Sequence, residues 1–133
     1  MELKRNEATR NRPEGDRVLD ALYVFADIPA YIDQLKDEKA WEKNDRNGIT
    51  VYKTDVVTVT LSVMHAGKEI VGNTIDGYFN IQVLKGEAKV STPDGDVDLS
   101  EMQMICFHPD IPHTVKAITD CVFLLTNCRK EFN

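Results

Sequence analysis

The sequence predicts an all-β fold, an antiparallel β-barrel of the jelly-roll type, with one helix near its N-terminus. From residue 49 onward, short stretches rich in β-branched residues are separated by turn residues about every ten positions. Helical periodicity occurs only before residue 47. Because strands and helices do not alternate, the pattern favours an antiparallel architecture over a parallel α/β sheet.

Length and charge restrict the classes of partner. The 133 residues are enough for one domain, and a net charge of −6 without a lysine or arginine cluster argues against nucleic acids and anionic membranes as partners. No apolar run approaches the ~18 residues of a membrane span, and the N-terminus has no signal-peptide pattern, so a cytoplasmic location is expected. Three cysteines without C-x-x-C spacing indicate free, buried thiols.

Residues 1–47 are predicted to form an arm, a possible strand and a helix packed on a barrel of residues 48–133. Residues 1–16 are charged, which indicates a loosely held arm. Residues 17–25 fit a helical face or a strand, and the β-branched and aromatic content favours the strand. A helix is predicted to begin after Asp27 as N-cap, with Pro29 in its first turn. We expect its apolar face to pack on the barrel, anchored by Trp41; that face comprises Ile28, Tyr31, Ile32 and Leu35.

The strand predictions follow from two-residue periodicity. Asn47-Gly48 is a turn signal, after which an alternating strand places His65 on the same face as Val57, Val59, Leu61 and Val63. In the next strand, Phe79, Ile81 and Val83 share the face expected to point inward. A hairpin is predicted around residues 92–95, and two strands, 114–118 and 121–126, complete the barrel.

The segment before His113 is apolar on both strand faces. Met102 and Met104 alternate with Gln103, and Cys106 precedes Phe107. A strand of this kind is expected to be buried against the interior on one side and against a second subunit on the other. The sequence therefore predicts a homodimer.

The residues from Gly67 to Gly86 resemble the first sequence motif of the cupin superfamily, G-x5-H-x-H-x3,4-E-x6-G. Laid on this spacing, the two histidine positions are occupied by Asn73 and Ile75, and the glutamate position by Phe79. Cupins are small antiparallel β-barrels, so the resemblance implies the same fold for residues 49–126.

The residues from Met102 to Ala117 resemble the second cupin motif, G-x5-P-x-G-x2-H-x3-N. Its two glycine positions fall on Met102 and Asp110, its proline on His108 and its histidine on His113. Of the four metal-ligand positions that the two motifs contain, the chain keeps only His113. The resemblance therefore implies a cupin with a degenerate metal site.

The missing ligands favour a binding function without a metal. A divalent metal needs several converging nitrogen or carboxylate donors, which isoleucine and phenylalanine cannot supply. We expect a mostly apolar lumen that binds a small molecule and contains no cofactor; the candidate pocket residues are His113, His65, Asn73, Ile75, Phe79 and Ile81. If a metal is present, His113 and His65 are its candidate ligands.

The alternative is a metal-dependent enzyme. In that interpretation a divalent transition metal is held by His65, His108 and His113, and the chemistry is dioxygenase-like or isomerase-like, as in many cupins. Each histidine also has a simpler interpretation: His113 and His65 as hydrogen-bonded core residues, His108 as a solvated loop residue. No G-x-S-x-G, phosphate-binding glycine loop or H-E-x-x-H motif points to another catalytic class.

Overall fold

The structure is a computed structural model that describes residues 3–10, 12, 15–71 and 76–130. Within these residues the chain is mostly β-structure with two short helices, in agreement with the all-β prediction. The elements in chain order are β1 (Lys4–Asn6), β2 (Arg17–Asp20), α1 (Ile28–Asp37), α2 (Lys39–Lys43), β3 (Arg46–Lys53), β4 (Val57–Met64), β5 (Glu69–Ile70), β6 (Gly77–Lys85), β7 (Ala88–Thr92), β8 (Gly95–Leu99), β9 (Met104–Phe107), β10 (Thr114–Ala117) and β11 (Cys121–Arg129).

Two antiparallel sheets form the body of the molecule. Five strands are ordered β3-β4-β11-β6-β9, four are ordered β5-β10-β7-β8, and β1 and β2 pair separately. Among the described residues no strand pairing joins the five-stranded sheet to the four-stranded one. The predicted closed barrel is therefore not confirmed: the described strands form a sandwich of two sheets that do not pair at their edges. Side-chain periodicity, which predicted the strands, carries no information on whether the outermost strands pair.

The inner core lies between the two sheets. Its members come from both sheets and include Phe123, Ile81 and Val83, none of which is exposed. The expected inward face of β6 is thus confirmed. The remaining buried members are Met64, Ala88, Val90, Leu99, Phe107, Val115, Ala117 and Cys121.

The outer core lies between α1 and the opposite face of the five-stranded sheet. The helix begins as predicted, with the Asp27 carboxylate accepting a hydrogen bond from the Ala30 N–H at 3.1 Å and with Pro29 in the first turn. Leu35 is completely buried, which is worth about 1.5 to 3 kcal/mol of transfer free energy. The other buried members are Ile32, Ile49, Val51, Leu61, Val63 and Val122, with Ile28, Tyr31 and Trp41 packed at the edge.

β4, a strand of the five-stranded sheet that lies under α1, has buried side chains on both faces. In β4, Leu61 and Val63 face α1, whereas Met64 faces the inner core. In β9, whose second face was expected to pack on another subunit, Met104 is 49% exposed and Cys106 is exposed as well in this single chain. β9 is an edge strand of the sheet and no described helix covers it. The expectation that all three thiols are buried is wrong for Cys106.

Two local predictions in the N-terminal region are wrong or incomplete. The predicted strand over residues 17–25 ends at Asp20, and Tyr23 is 89% exposed in the loop that follows. Asn47-Gly48 lies inside β3 and does not form a turn. The Asn47 amide is buried and donates to the Leu35 carbonyl at 2.9 Å, so a tertiary contact outweighs the turn preference of this dipeptide.

The later strands match their predictions closely. β7 and β8 form the expected hairpin around Pro93-Asp94, and Gly95 takes a φ of 123°. β10 and β11 follow in order on either side of residues 118–120, each in a different sheet. Among the described helices, none has the length and apolar character needed to cross a membrane.

Candidate functional site

The backbone supports the alignment of this chain with the two motifs. Among the described residues only Met102, with φ 69°, and Asp110, with φ 64°, are non-glycine residues in the left-handed region, and both occupy glycine positions of the second motif. The glycines of the first motif, Gly67 and Gly86, have φ of 82° and 93°. All four motif positions therefore have the conformation that favours glycine, although two of the residues are not glycine.

His113 is the polar side chain of the inner site. It is 7% exposed and its ring stacks on two aromatic rings, with centroid distances of 4.6 Å to Phe107 and 5.3 Å to Phe79. These two phenylalanines are paired across β6 and β9, which explains why both reach the same imidazole. The result is a buried imidazole held in an apolar wall.

One hydrogen bond fixes the tautomer of His113. Its Nδ1 lies 3.0 Å from the carbonyl oxygen of Ile111. A carbonyl can only accept, so Nδ1 must carry a proton, and in the neutral ring Nε2 is then a hydrogen-bond acceptor. No described residue is bonded to Nε2. The ring therefore presents one available acceptor beside the phenylalanine pair.

The other predicted pocket residues are distributed differently from the expectation. Ile81 is completely buried in the inner core, behind the partly buried Phe79. Asn73 and Ile75 lie outside the described residues. The described centre of the sandwich is filled by side chains, and Phe79, packed against it and only partly buried, lies beside His113 at one end.

Lys130 forms ion pairs with two separate chain segments near the His113 end of the sandwich. Lys130, just beyond β11, lies 3.0 Å from a carboxylate oxygen of Asp76 and 2.9 Å from one of Asp110. These two hydrogen bonds raise the pKa of Lys130, the one from Asp110 more strongly. Asp76 precedes β6 and Asp110 precedes His113, so one cation connects both chain segments.

His65 and His108 do not belong to this site. His65 stacks on Trp41 with ring centroids 3.5 Å apart, and its Nε2 donates to the Trp41 carbonyl at 2.7 Å. His108 is exposed and contacts the edge of Tyr78. The alternation of β4 placed His65 on the correct face, but that face packs against the helices and not against the opposite sheet.

Comparison with solved structures identifies the architecture. A cupin superfamily protein from Desulfitobacterium hafniense DCB-2 matches with a TM-score of 0.63 at 17% identity, covering 65% of this chain and 80% of that one. The chain has a cupin fold. The resemblance inferred from the two motifs is thereby confirmed at the level of the fold.

Two further comparisons show the range of these cupin-fold neighbours. A conserved protein of unknown function from Streptococcus pyogenes matches with a TM-score of 0.63 at 19% identity, covering 85% of this chain and 92% of that one. A mutant salicylate 1,2-dioxygenase from Pseudoaminobacter salicylatoxidans matches with a TM-score of 0.64 at 16% identity, covering 74% of this chain and 33% of that one. No protein-family model matches the sequence, and no curated protein sequence matches it.

The described residues of this cupin-fold protein offer no donor set that fits a metal ion of the kind the fold often holds. The described residues contain no group of three His, Cys, Asp or Glu side chains placed to hold a metal. The glutamate position of the first motif is occupied by Phe79, whose ring stacks on His113, and the ring of Phe107 stacks on His113 as well. The remaining motif segment, residues 72–75, contains no residue of those four types. A single imidazole does not provide a metal site.

The sequence reasoning missed a polar network at the N-terminal side of the cupin fold. The Glu38 carboxylate accepts three hydrogen bonds from Arg12, the shortest 2.7 Å, one from Asn47 and one from Gln34. Burial alone would raise the pKa of Glu38, but these hydrogen bonds outweigh it and lower the pKa below its ordinary value. The available signal was Asn47, whose turn preference concealed a side chain that donates to Leu35 and Glu38 and accepts from Arg12 and Gly48.

Proposed function

We propose that this cupin-fold protein binds a small, planar, mostly apolar molecule at the His113 end of the sandwich, without a metal ion. The observation that carries the proposal is the imidazole of His113, which is stacked on Phe107 and Phe79 and has an unbonded Nε2. An apolar surface with one oriented polar atom is the usual composition of a small-molecule site.

The chemistry of His113 suggests the kind of ligand. Because Nδ1 donates to Ile111, the neutral ring accepts a hydrogen bond at Nε2, and the complementary ligand group is a hydroxyl or an N–H. A flat ligand would extend the stack of rings that Phe79 and His113 begin. Phenols combine both properties. Salicylate, which appears in the name of a cupin-fold neighbour, is a phenol and a suitable probe together with phenol itself.

The alternative enzyme interpretation has less support. It needs His65, His108 and His113 to act on one metal ion, whereas each contacts a different aromatic group: Trp41, Tyr78 and the phenylalanine pair. Elemental analysis of protein purified without chelator or metal affinity tests this point. A stoichiometric transition metal that survives dialysis would refute the metal-free proposal.

The ligand is tested by titration. Phenol and salicylate are added to isotopically labelled protein, and the expected result is saturable NMR shift changes at Phe79, Phe107 and His113. In His113→Phe the aromatic wall remains but Nε2 is lost, and affinity should fall roughly tenfold, the equivalent of one hydrogen bond of about 1.4 kcal/mol. The matched control is His108→Phe, which should bind like the parent protein. Equal affinity in both variants, at unchanged melting temperature, would contradict the role of His113.

We also infer a homodimer formed through the uncovered face of β9 and β6. This face exposes Tyr78, Met104 and Cys106, and β9 is a free sheet edge. Light scattering of the parent protein and of Met104→Glu tests this inference: we expect a dimer that the glutamate converts to a monomer. A parent protein that is monomeric at micromolar concentration would refute it.

A further inference from the structure

We infer that the protein carries a second binding site, for a small molecule with two or more carboxylate or phosphate groups, in a cleft between its N-terminal arm and its helices. The cleft measures about 860 Å³ and is lined by the arm, α1 and α2. We call it the arm cleft. It lies on the α1 side of the five-stranded sheet and shares no residue with the His113 site, so it is independent of the function proposed above.

The charge of the arm cleft is opposite to that of the whole chain. Five basic side chains line it: Arg10, Arg12, Arg17, Lys39 and Lys43. Three acidic ones, Glu7, Asp37 and Glu38, leave a formal charge of +2 (five minus three) on the described lining residues. The chain as a whole carries −6. A concave basic region on an acidic protein attracts small anions to that place.

Glu38 forms a described ion pair with only one of these cations, Arg12. Its carboxylate is bonded to Arg12 through both oxygens, and it also accepts from Asn47 and Gln34. The Arg12 guanidinium is fixed further by the carbonyl oxygen of Gly48 at 2.9 Å. The Arg12–Glu38 pair therefore forms part of the wall of the arm cleft. Because both Glu38 oxygens already accept hydrogen bonds, they are poorly placed to bind a second cation.

Arg17 is a partly buried cation that makes no ion pair with a described residue. Its Nε donates to the carbonyl of Thr50 at 2.9 Å and its Nη1 to the carbonyl of Gly15 at 2.8 Å. No described carboxylate lies within ion-pair distance of it. Burial, followed by the positive charge of Arg12, lowers the pKa of Arg17, which still remains protonated. A half-buried charge whose described hydrogen bonds all go to carbonyls, and which Glu38 only partly offsets, is stabilised when an anion binds beside it.

The dimensions and donor types define the ligand class. A volume of 860 Å³ accommodates a molecule of metabolite size. The fork of an arginine pairs with the two oxygens of a carboxylate or phosphate, whereas lysines act as additional point charges around it. The shared chemistry is thus a small polyanion, and citrate and pyrophosphate represent its carboxylate and phosphate forms.

Calorimetric titration of the full chain with citrate and with pyrophosphate tests the inference. Chloride at the same ionic strength is the reference, and saturable binding of either polyanion is expected. Lys39→Gln removes a lining charge whose side chain takes part in no described ion pair, and should weaken binding about threefold to tenfold. Asp37→Asn removes a lining negative charge and should strengthen binding by a similar factor.

Two control variants distinguish binding in the arm cleft from binding elsewhere on the protein. Lys116→Gln removes an exposed charge on β10, in the other sheet, and should leave polyanion affinity unchanged. His113→Phe should also leave it unchanged, which distinguishes the arm cleft from the proposed phenol site. Absence of saturable binding by both polyanions would overturn the inference. So would an equal loss of affinity in Lys116→Gln and Lys39→Gln, because binding would then follow net charge and not the cleft.

Discussion

Replacing Met102 by glycine should stabilise the protein, although it removes a large side chain. Met102 has a φ of 69°, in the left-handed region that L-residues occupy at a cost of about 1 to 2 kcal/mol. The residue is 68% exposed, so its side chain buries little apolar surface. Its backbone N–H donates to the Val83 carbonyl at 2.7 Å, which fixes this conformation in the folded chain.

The expected magnitude follows from two opposing terms. Relief of the backbone strain contributes about 1 to 2 kcal/mol, whereas the larger entropy of glycine in the unfolded chain costs about 0.5 to 1 kcal/mol. The net gain in the free energy of unfolding is roughly 0.5 kcal/mol. For a chain of this length that corresponds to a rise in melting temperature of about 2 °C.

Urea and thermal unfolding of Met102→Gly and Met104→Gly measure the effect. Met104 is also an exposed methionine, but it lies in the extended strand β9, where glycine should cost about 0.5 to 1 kcal/mol. The two variants should therefore differ by about 1 to 1.5 kcal/mol. If Met102→Gly loses as much stability as Met104→Gly, the left-handed conformation at position 102 stores no strain and the reasoning is refuted.

Three further outcomes are expected. Glu38→Gln should lower the free energy of unfolding at pH 7 by about 1 to 2 kcal/mol, because the ionised carboxylate holds Arg12. Since the pKa of Glu38 is lowered in the folded state, the parent protein should lose this advantage over the variant as pH falls through that pKa. A variant with the same acid sensitivity as the parent would contradict this. A thiol reagent at pH 8 should modify exposed Cys106 rapidly and Cys121 only on unfolding, because burial raises the pKa of the Cys121 thiol. Peptide mass mapping measures the order of modification, and the opposite order would contradict the prediction. Leu35→Ala should destabilise the protein by about 2 to 5 kcal/mol in urea unfolding, and a cost below about 1 kcal/mol would show that α1 is not packed on the sheet.

The fold was accessible to sequence reasoning because it depends on periodicity and on backbone conformation. The alternation of Phe79, Ile81 and Val83 predicted an inner face that the structure confirms. The motif spacing predicted glycine positions that proved to be left-handed even where Met102 and Asp110 occupy them. Both kinds of signal are local, so one sequence contains them.

The site was less accessible because it depends on which surface covers each strand. The alternation of β4 shows which of its faces is apolar, but it could not show whether that face, which includes His65, packs on the helices or on the opposite sheet. The Asn47 amide is used by residues 35 and 38, a contact that no local pattern encodes. The arm cleft escaped notice for the same reason: its basic residues are spread over the arm, β2 and α2.

The position of α1 has a consequence for any assembly of this protein. The helix covers β3, β4 and β11 on the outer side of the sheet, while the part formed by Tyr78 and Met104 stays bare. A second molecule that packs on this face, as in the homodimer proposed above, would therefore meet it off-centre, on the side of β6 and β9. Such a contact would leave the basic region beside the helices open to solvent.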